Sequence, residues 1–238
     1  MNSMNDDSDA LGACGVSTQG LMEVLPGGPL LQAETLDAFL HLQAEASLHG
    51  FSLRIESGWR SFQKQVSIWN RKATGALPLL DECGNPLDAM QLDPEKRMWT
   101  ILNWSALPGT SRHHWGSDLD IVDANAIPLG YEVQLTPQEV ESTGIFGPLH
   151  AWLDARIQTG TAFGFERPFI NGTGKIRPER WHLSHRPSAL RFESGFDQTV
   201  LRKLLANGQL ELLDPVLAHF ETIFADYARV YFKRNEPI

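Results

Sequence analysis

The sequence predicts an α+β fold ending in a helical extension. Three observations carry that reading. Apolar residues switch several times between a helical period and a strand-like alternation. The switches are irregular, unlike the strand–helix alternation of a parallel α/β sheet. The last stretch is a single helical stripe of large apolar side chains.

Residues 1–27 begin polar, small and aperiodic, and are assigned to a flexible N-terminal tail. Leu36, Phe39, Leu40 and Ala44 then fall on one helical face over 33–49, and Gly50 supplies a stop. Phe51, Leu53 and Ile55 alternate with Ser52, Arg54 and Glu56, the period of a half-buried strand. Ser57-Gly58 breaks that strand, and a short helix is predicted over 61–73. Residues 74–96 hold Gly75, Pro78, Gly84, Pro86 and Pro94 and read as a long surface loop. Further strands are predicted at Leu119–Val122 and Trp181–His185, with partial helix over 137–158. A main domain over 28–192 is therefore followed by a helical extension, 193–238. In it Leu201, Leu204 and Leu205 mark a short helix. Leu213, Val216, Leu217, Phe220, Phe224, Tyr227 and Tyr231 share a face over 211–233. That stripe is either core or, if exposed, a homodimer surface.

The 238 residues, 42% hydrophobic and 21% charged, suffice for one sizeable domain. A net charge of −9 argues against nucleic-acid binding. Two cysteines, Cys14 and Cys83, make neither a disulfide framework nor a four-thiolate metal site, and read as free thiols. The N-terminus has acids where a secretory signal has cations. No run approaches the ~18 apolar residues of a membrane span. The expected location is the cytoplasm.

Three clusters carry chemistry: Ser57-Gly58-Trp59-Arg60-Ser61, the run Ser111 to Asp120, and Glu179-Arg180-Trp181-His182. Imidazole and carboxylate are good zinc ligands, and a catalytic zinc takes three of them. His113 and Asp120 are seven apart, too far for one helical turn, but a loop and a strand can bring them together. Gly116 between them allows a tight path, and His182 is the candidate third ligand. Glu179, three residues earlier, is placed to take a proton from an attacking water. Arg60 is an always-charged donor suited to a developing oxyanion. His114 and His185 are read as satisfied surface residues or as supports beside ligands, and Arg54 and Arg112 as solvated, with Arg112 also a candidate for the pocket mouth. Trp104, Trp115 and Trp181 are read as wall or core.

Ser111-x-His113-x-x-Gly116-x-x-x-Asp120 with Glu179-x-Trp181-His182 resembles the signature of the D-Ala-D-Ala metallopeptidases. These include vancomycin-resistance D,D-carboxypeptidases and D,D-dipeptidases, some phage endolysins and the Hedgehog signalling domain. Ser57 to Gln65 is similar to their Ser-Gly-Tyr-Arg-Ser stretch and its downstream Gln. The resemblance spans roughly residues 30–190. It implies a small antiparallel sheet carrying a zinc site, flanked by helices. It implies His113, Asp120 and His182 as Zn2+ ligands, Glu179 as general base and then acid, and Arg60 as stabiliser of the tetrahedral intermediate. Ser111 and Gln65 would hold the terminal D-alanine or its carboxylate. The implied substrates are peptidoglycan-derived peptides or D-Ala-D-Ala itself. A stem-peptide endopeptidase and a non-catalytic Hedgehog-like zinc module are the alternatives. Two positions depart from the pattern. Trp59 stands for Tyr. Asp118 stands for a small residue, and is either a partner that orients a ligand or a residue that reshapes the pocket.

Overall fold

The computed structural model describes residues 3–82, 84–170 and 174–232. Cys83 lies outside them. The α+β expectation holds: a four-stranded antiparallel sheet is surrounded by helices. Its order is Leu53–Ser57, Asp118–Asp123, His182–His185 and Phe165–Glu166. Two two-stranded hairpins stand apart from it.

The central strand Asp118–Asp123 is buried along its whole length, although it carries three aspartates. Alternation explains this. Leu119 and Ile121 face an apolar layer formed with Phe39 and Leu42 of the helix Ala33–Leu48 and with Leu149 and Leu153 of the helix Gly147–Gln158. Asp118 and Asp120 face the other way. Across the sheet Asp120 pairs with Ser57 on one side and with His182 on the other. One row of the sheet thus holds two candidate ligands side by side.

The N-terminal tail is a correction. Ser3–Ala13 is helical, a hairpin joins Leu21–Glu23 to Leu30–Gln32, and Ala10, Ala13 and Cys14 are buried. Its docking uses small side chains and backbone carbonyls, which leave no apolar period to read: Ala13 O accepts from Trp115 Nε1 and Gly15 O from Phe62 N. Burial pushes the Cys14 thiol up to about 12, so it is inert at neutral pH.

The C-terminal stripe is core. Phe220, Phe224, Tyr227 and Tyr231 are buried with Phe62, Val66 and Trp69 of the helix Phe62–Ala73. The apolar face offered for a homodimer is thereby consumed within the chain. The predicted single helix is in fact broken at His219 and passes through a π-helical turn, Ala225–Arg229. The predicted loop 74–96 contains the hairpin Leu79–Leu80/Pro86–Leu87, and leads into an unpredicted helix, Pro94–Leu102. Asp93 caps that helix and Pro94 opens it, a start signal present in the sequence. Among the described residues no helix is long and apolar enough to cross a membrane.

Candidate metal centre

His113 sits on a 3-10 turn, Arg112–Trp115, that leads through Gly116 into the central strand. Gly116 has φ 68°, and a Cβ there would lie 2.5 Å from Leu21 Cδ2. Only glycine makes that turn without strain. The turn is pinned to the Arg60 loop: Arg60 N donates to His113 O, and Trp59 Nε1 to His114 O. His114 completes the clip, its Nδ1 donating to Arg60 O while its Nε2 accepts from Gly109 N. Burial holds its imidazole down at about 3, so it stays neutral. It is a support, as expected, but fully inside the protein.

One ligating atom each from His113, Asp120 and His182 lies within 4.8 Å of the others. His113 Nε2 is 3.2 Å from Asp120 Oδ2, and His182 Nδ1 is 3.1 Å from Asp120 Oδ1. The outer nitrogens are both held. His113 Nδ1 donates to Gly58 O at 2.9 Å, and His182 Nε2 to Asp118 Oδ1 at 3.0 Å. Each ring therefore keeps one lone pair aimed at a common point beside a carboxylate. This donor set fits a divalent cation. Without one, the negative charge beside it raises His182 to about 9, and the two histidines hold Asp120 far below the usual carboxylate range.

Glu179 Oε2 lies 3.9 Å from His182 Nδ1, beside the convergence point. Burial raises its carboxyl to about 7, with Asp120 adding and His182, Arg60 and Lys72 opposing. Arg60 is tied by Nη1 to Gln65 and by Nη2 to Ser57, and it feels Asp120 and Glu179. Ser111 lines the same cavity, of about 270 Å³. Gln65 is engaged at both ends, accepting from Arg60 and donating to Ala106 O. In this geometry it supports Arg60, and a substrate would have to displace one of those bonds. His185 is bonded to Ser188 and rests on Phe165, away from the triad. Trp181 and Trp104 are pocket wall, while Trp115 is core against Phe192.

Arg112 lines the cavity as one alternative expected, but its solvated reading is a second correction. It is 3% exposed rather than solvated. Its Nε donates to Asp118, Nη2 to Ser184, and Nη1 to Glu193 and Tyr231 O. Asp118 therefore joins His182, a candidate ligand, to a buried arginine, and the orienting alternative fits it. Also missed were Lys72, Phe169, Tyr227 and Tyr231, all on the cavity wall. Lys72 had a signal: it lies seven residues after Gln65, on the same helix face.

The sequence profile of the D-alanyl-D-alanine carboxypeptidase (VanY) family matches residues 28–188. The chain belongs to this family. An uncharacterized protein of Haemophilus influenzae is 32% identical over 123 residues, 51% of this chain and 92% of that one. VanYB, solved in complex with D-alanine-D-alanine, superposes with a TM-score of 0.51 at 19% identity, over 82% of this chain and 93% of that one. A mutant of the vancomycin-resistance D,D-pentapeptidase VanY, solved with Zn(II), gives 0.50 at 20% identity over 84% and 92%. These likenesses extend the family's α+β fold across most of the chain. The profile match ends before the C-terminal helices that share the core with Phe62–Ala73.

Replacing Asp118 by Asn removes the anion that accepts from His182 Nε2 and so leaves Nδ1 free to ligate. Zn2+ affinity, measured by chelator competition, is expected to fall about 10- to 100-fold. An unchanged affinity would remove Asp118 from this role.

Proposed function

We propose that this carboxypeptidase-family chain is a zinc-dependent peptidase. It hydrolyses the bond at a C-terminal D-amino acid in peptidoglycan-derived peptides or in D-Ala-D-Ala. One observation carries the reading: three ligand atoms converge within 4.8 Å with Glu179 and Arg60 at the same cavity. The two-imidazole, one-carboxylate set is of the type that catalytic zinc uses. The Zn(II) and D-alanine-D-alanine of the two superposed structures support the choice of ion and of substrate.

His113, Asp120 and His182 would hold the ion. When bound, it polarises a carbonyl and makes a water molecule acidic enough to react at neutral pH. Glu179, ionised, takes that water's proton and delivers it to the leaving amine. Arg60 donates to the carbonyl oxygen as it gains charge, and Ser57 and Gln65 keep the guanidinium from swinging away. Ser111 contacts the terminal residue.

Release of D-alanine from D-Ala-D-Ala and from stem pentapeptide is expected with the Zn2+-loaded protein. It should vanish with chelator and return on adding Zn2+. A loaded protein that binds these peptides and releases nothing would make it a binding module instead. Cleavage only within longer stem peptides would make it an endopeptidase.

The pH dependence follows from Glu179. The active form is its carboxylate, so kcat/KM falls as pH drops through its pKa. Burial raises that value and the bound cation lowers it. The acid limb is expected between the ordinary 4.5 and about 7. A profile flat to below pH 4 would exclude Glu179 as the base.

A further inference from the structure

We propose that Lys72 is a further anchor for the substrate's free terminal carboxylate, in a pocket lined in part by the chain's own C-terminal helix. This rests on the peptidase reading above and names the side chain that would recognise the free acid.

The cavity has a second cation besides Arg60. Lys72 projects into it from the helix Phe62–Ala73 and donates to Ser105 Oγ at 2.6 Å. An ammonium has three donors. Among the described residues no hydrogen bond or ion pair joins Lys72 to a carboxylate. The two cations are not equivalent. Arg60 is already clamped by Ser57 and Gln65 beside Asp120 and Glu179. Lys72 has a long stem, one hydroxyl partner and a place in the cavity lining. Its burial, and the like charge of Arg60, lower it to about 8, with Glu179 opposing. A carboxylate seated here would neutralise a desolvated, underpaired charge, and such charge-assisted bonds are the strong ones.

Part of the cavity wall comes from residues beyond the family-matched 28–188. The π-helical turn Ala225–Arg229 presents Tyr227, and the helix then carries Tyr231 and Phe232 to the same cavity. Tyr231 is fixed there: its hydroxyl accepts from Ile176 N, and its ring meets Phe169 edge-on at 5.0 Å. The cavity is about 270 Å³, slightly below the range of small-ligand sites (about 300–1,000 Å³). That volume suits the last residue of a peptide better than a strand continuing past the scissile bond.

A carboxylate can come from the chain terminus or from an acidic side chain. N-acetyl-D-Ala-D-Ala and its C-terminal amide separate the sources, since neither has an acidic side chain. Their dissociation constants are measured on Zn2+-loaded Glu179→Ala protein, with Lys72 intact, as Lys72→Met and as Lys72→Arg. With Lys72 the acid is expected to bind about 10- to 100-fold more tightly than the amide. Lys72→Met should bring the ratio near one without changing amide affinity, and Lys72→Arg should keep most of the preference. Equal binding of acid and amide to the Lys72 protein overturns the proposal. So does a ratio unchanged by Lys72→Met, an equal loss for both ligands, or no binding of either. Turnover by the Zn2+-loaded protein is scored separately. If no D-alanine is released, the peptidase reading fails while the affinity ratio still decides Lys72. If acid and amide are cleaved equally well, the peptidase reading stands and this inference falls.

Discussion

Glu179→Gln is expected to lower kcat about 100- to 10,000-fold, the usual contribution of a positioned proton carrier. The substitution keeps volume and polarity, so the fold has no reason to change. It removes the proposed proton acceptor, while leaving the three candidate ligand atoms of His113, Asp120 and His182 in place. Zn2+ content should therefore remain that of the parent protein, and KM should move little. Glu179 is suited to the task because burial raises it to about 7, where it is still basic enough to accept a proton yet can give it up again. Steady-state kinetics with metal analysis on the same samples checks this. Retention of more than a tenth of kcat with full metal would mean that another group moves the proton.

Arg112→Ala is expected to destabilise the protein by about 3–5 kcal/mol, the range for removing one partner of a buried ion pair. Asp118 is fully buried, and Glu193 is nearly so. Without the guanidinium both lose a partner, although Glu193 keeps Arg186 at 2.7 Å. Urea denaturation of the metal-free protein is the measurement, and a loss below 1 kcal/mol would contradict the arrangement. Asp118→Ala combined with Arg112→Ala should recover part of the loss, because the stranded acid is then gone. The sign with pH is fixed as well. Arg112, His182 and Ser117 hold Asp118 at about 2 against the opposing effect of burial. The pair's contribution is therefore present above the unfolded aspartate value of about 3.9 and is lost as pH falls from there toward 2.

Both results depend on residues that differ in how readable they were. Glu179, His113, Asp120 and His182 belong to short motifs whose internal spacing is set by local backbone. A glycine turn and a two-residue strand period suffice to orient them, so the linear order already indicates a shared site. Arg112 lies within the same motif, yet its partners Glu193 and Tyr231 are 81 and 119 residues away. A long side chain beside a functional histidine reads as solvated until those distant elements are seen to cover it. The N-terminal helix was illegible for a related reason. It docks through alanines and carbonyl oxygens, and neither produces a hydrophobic period.

The sequence by itself determined the α+β class, the strand–turn–strand setting of the candidate ligands, and the base, arginine and metal-ligand candidates. These follow from local spacing and residue chemistry. Only the tertiary structure decided that Asp118 orients His182, that Gln65 supports Arg60, and that Lys72 and the C-terminal tyrosines bound the cavity. Those outcomes depend on which distant surfaces meet when apolar area is buried. Side-chain identity can state what a residue is able to do, but not which neighbour the packed chain brings to it.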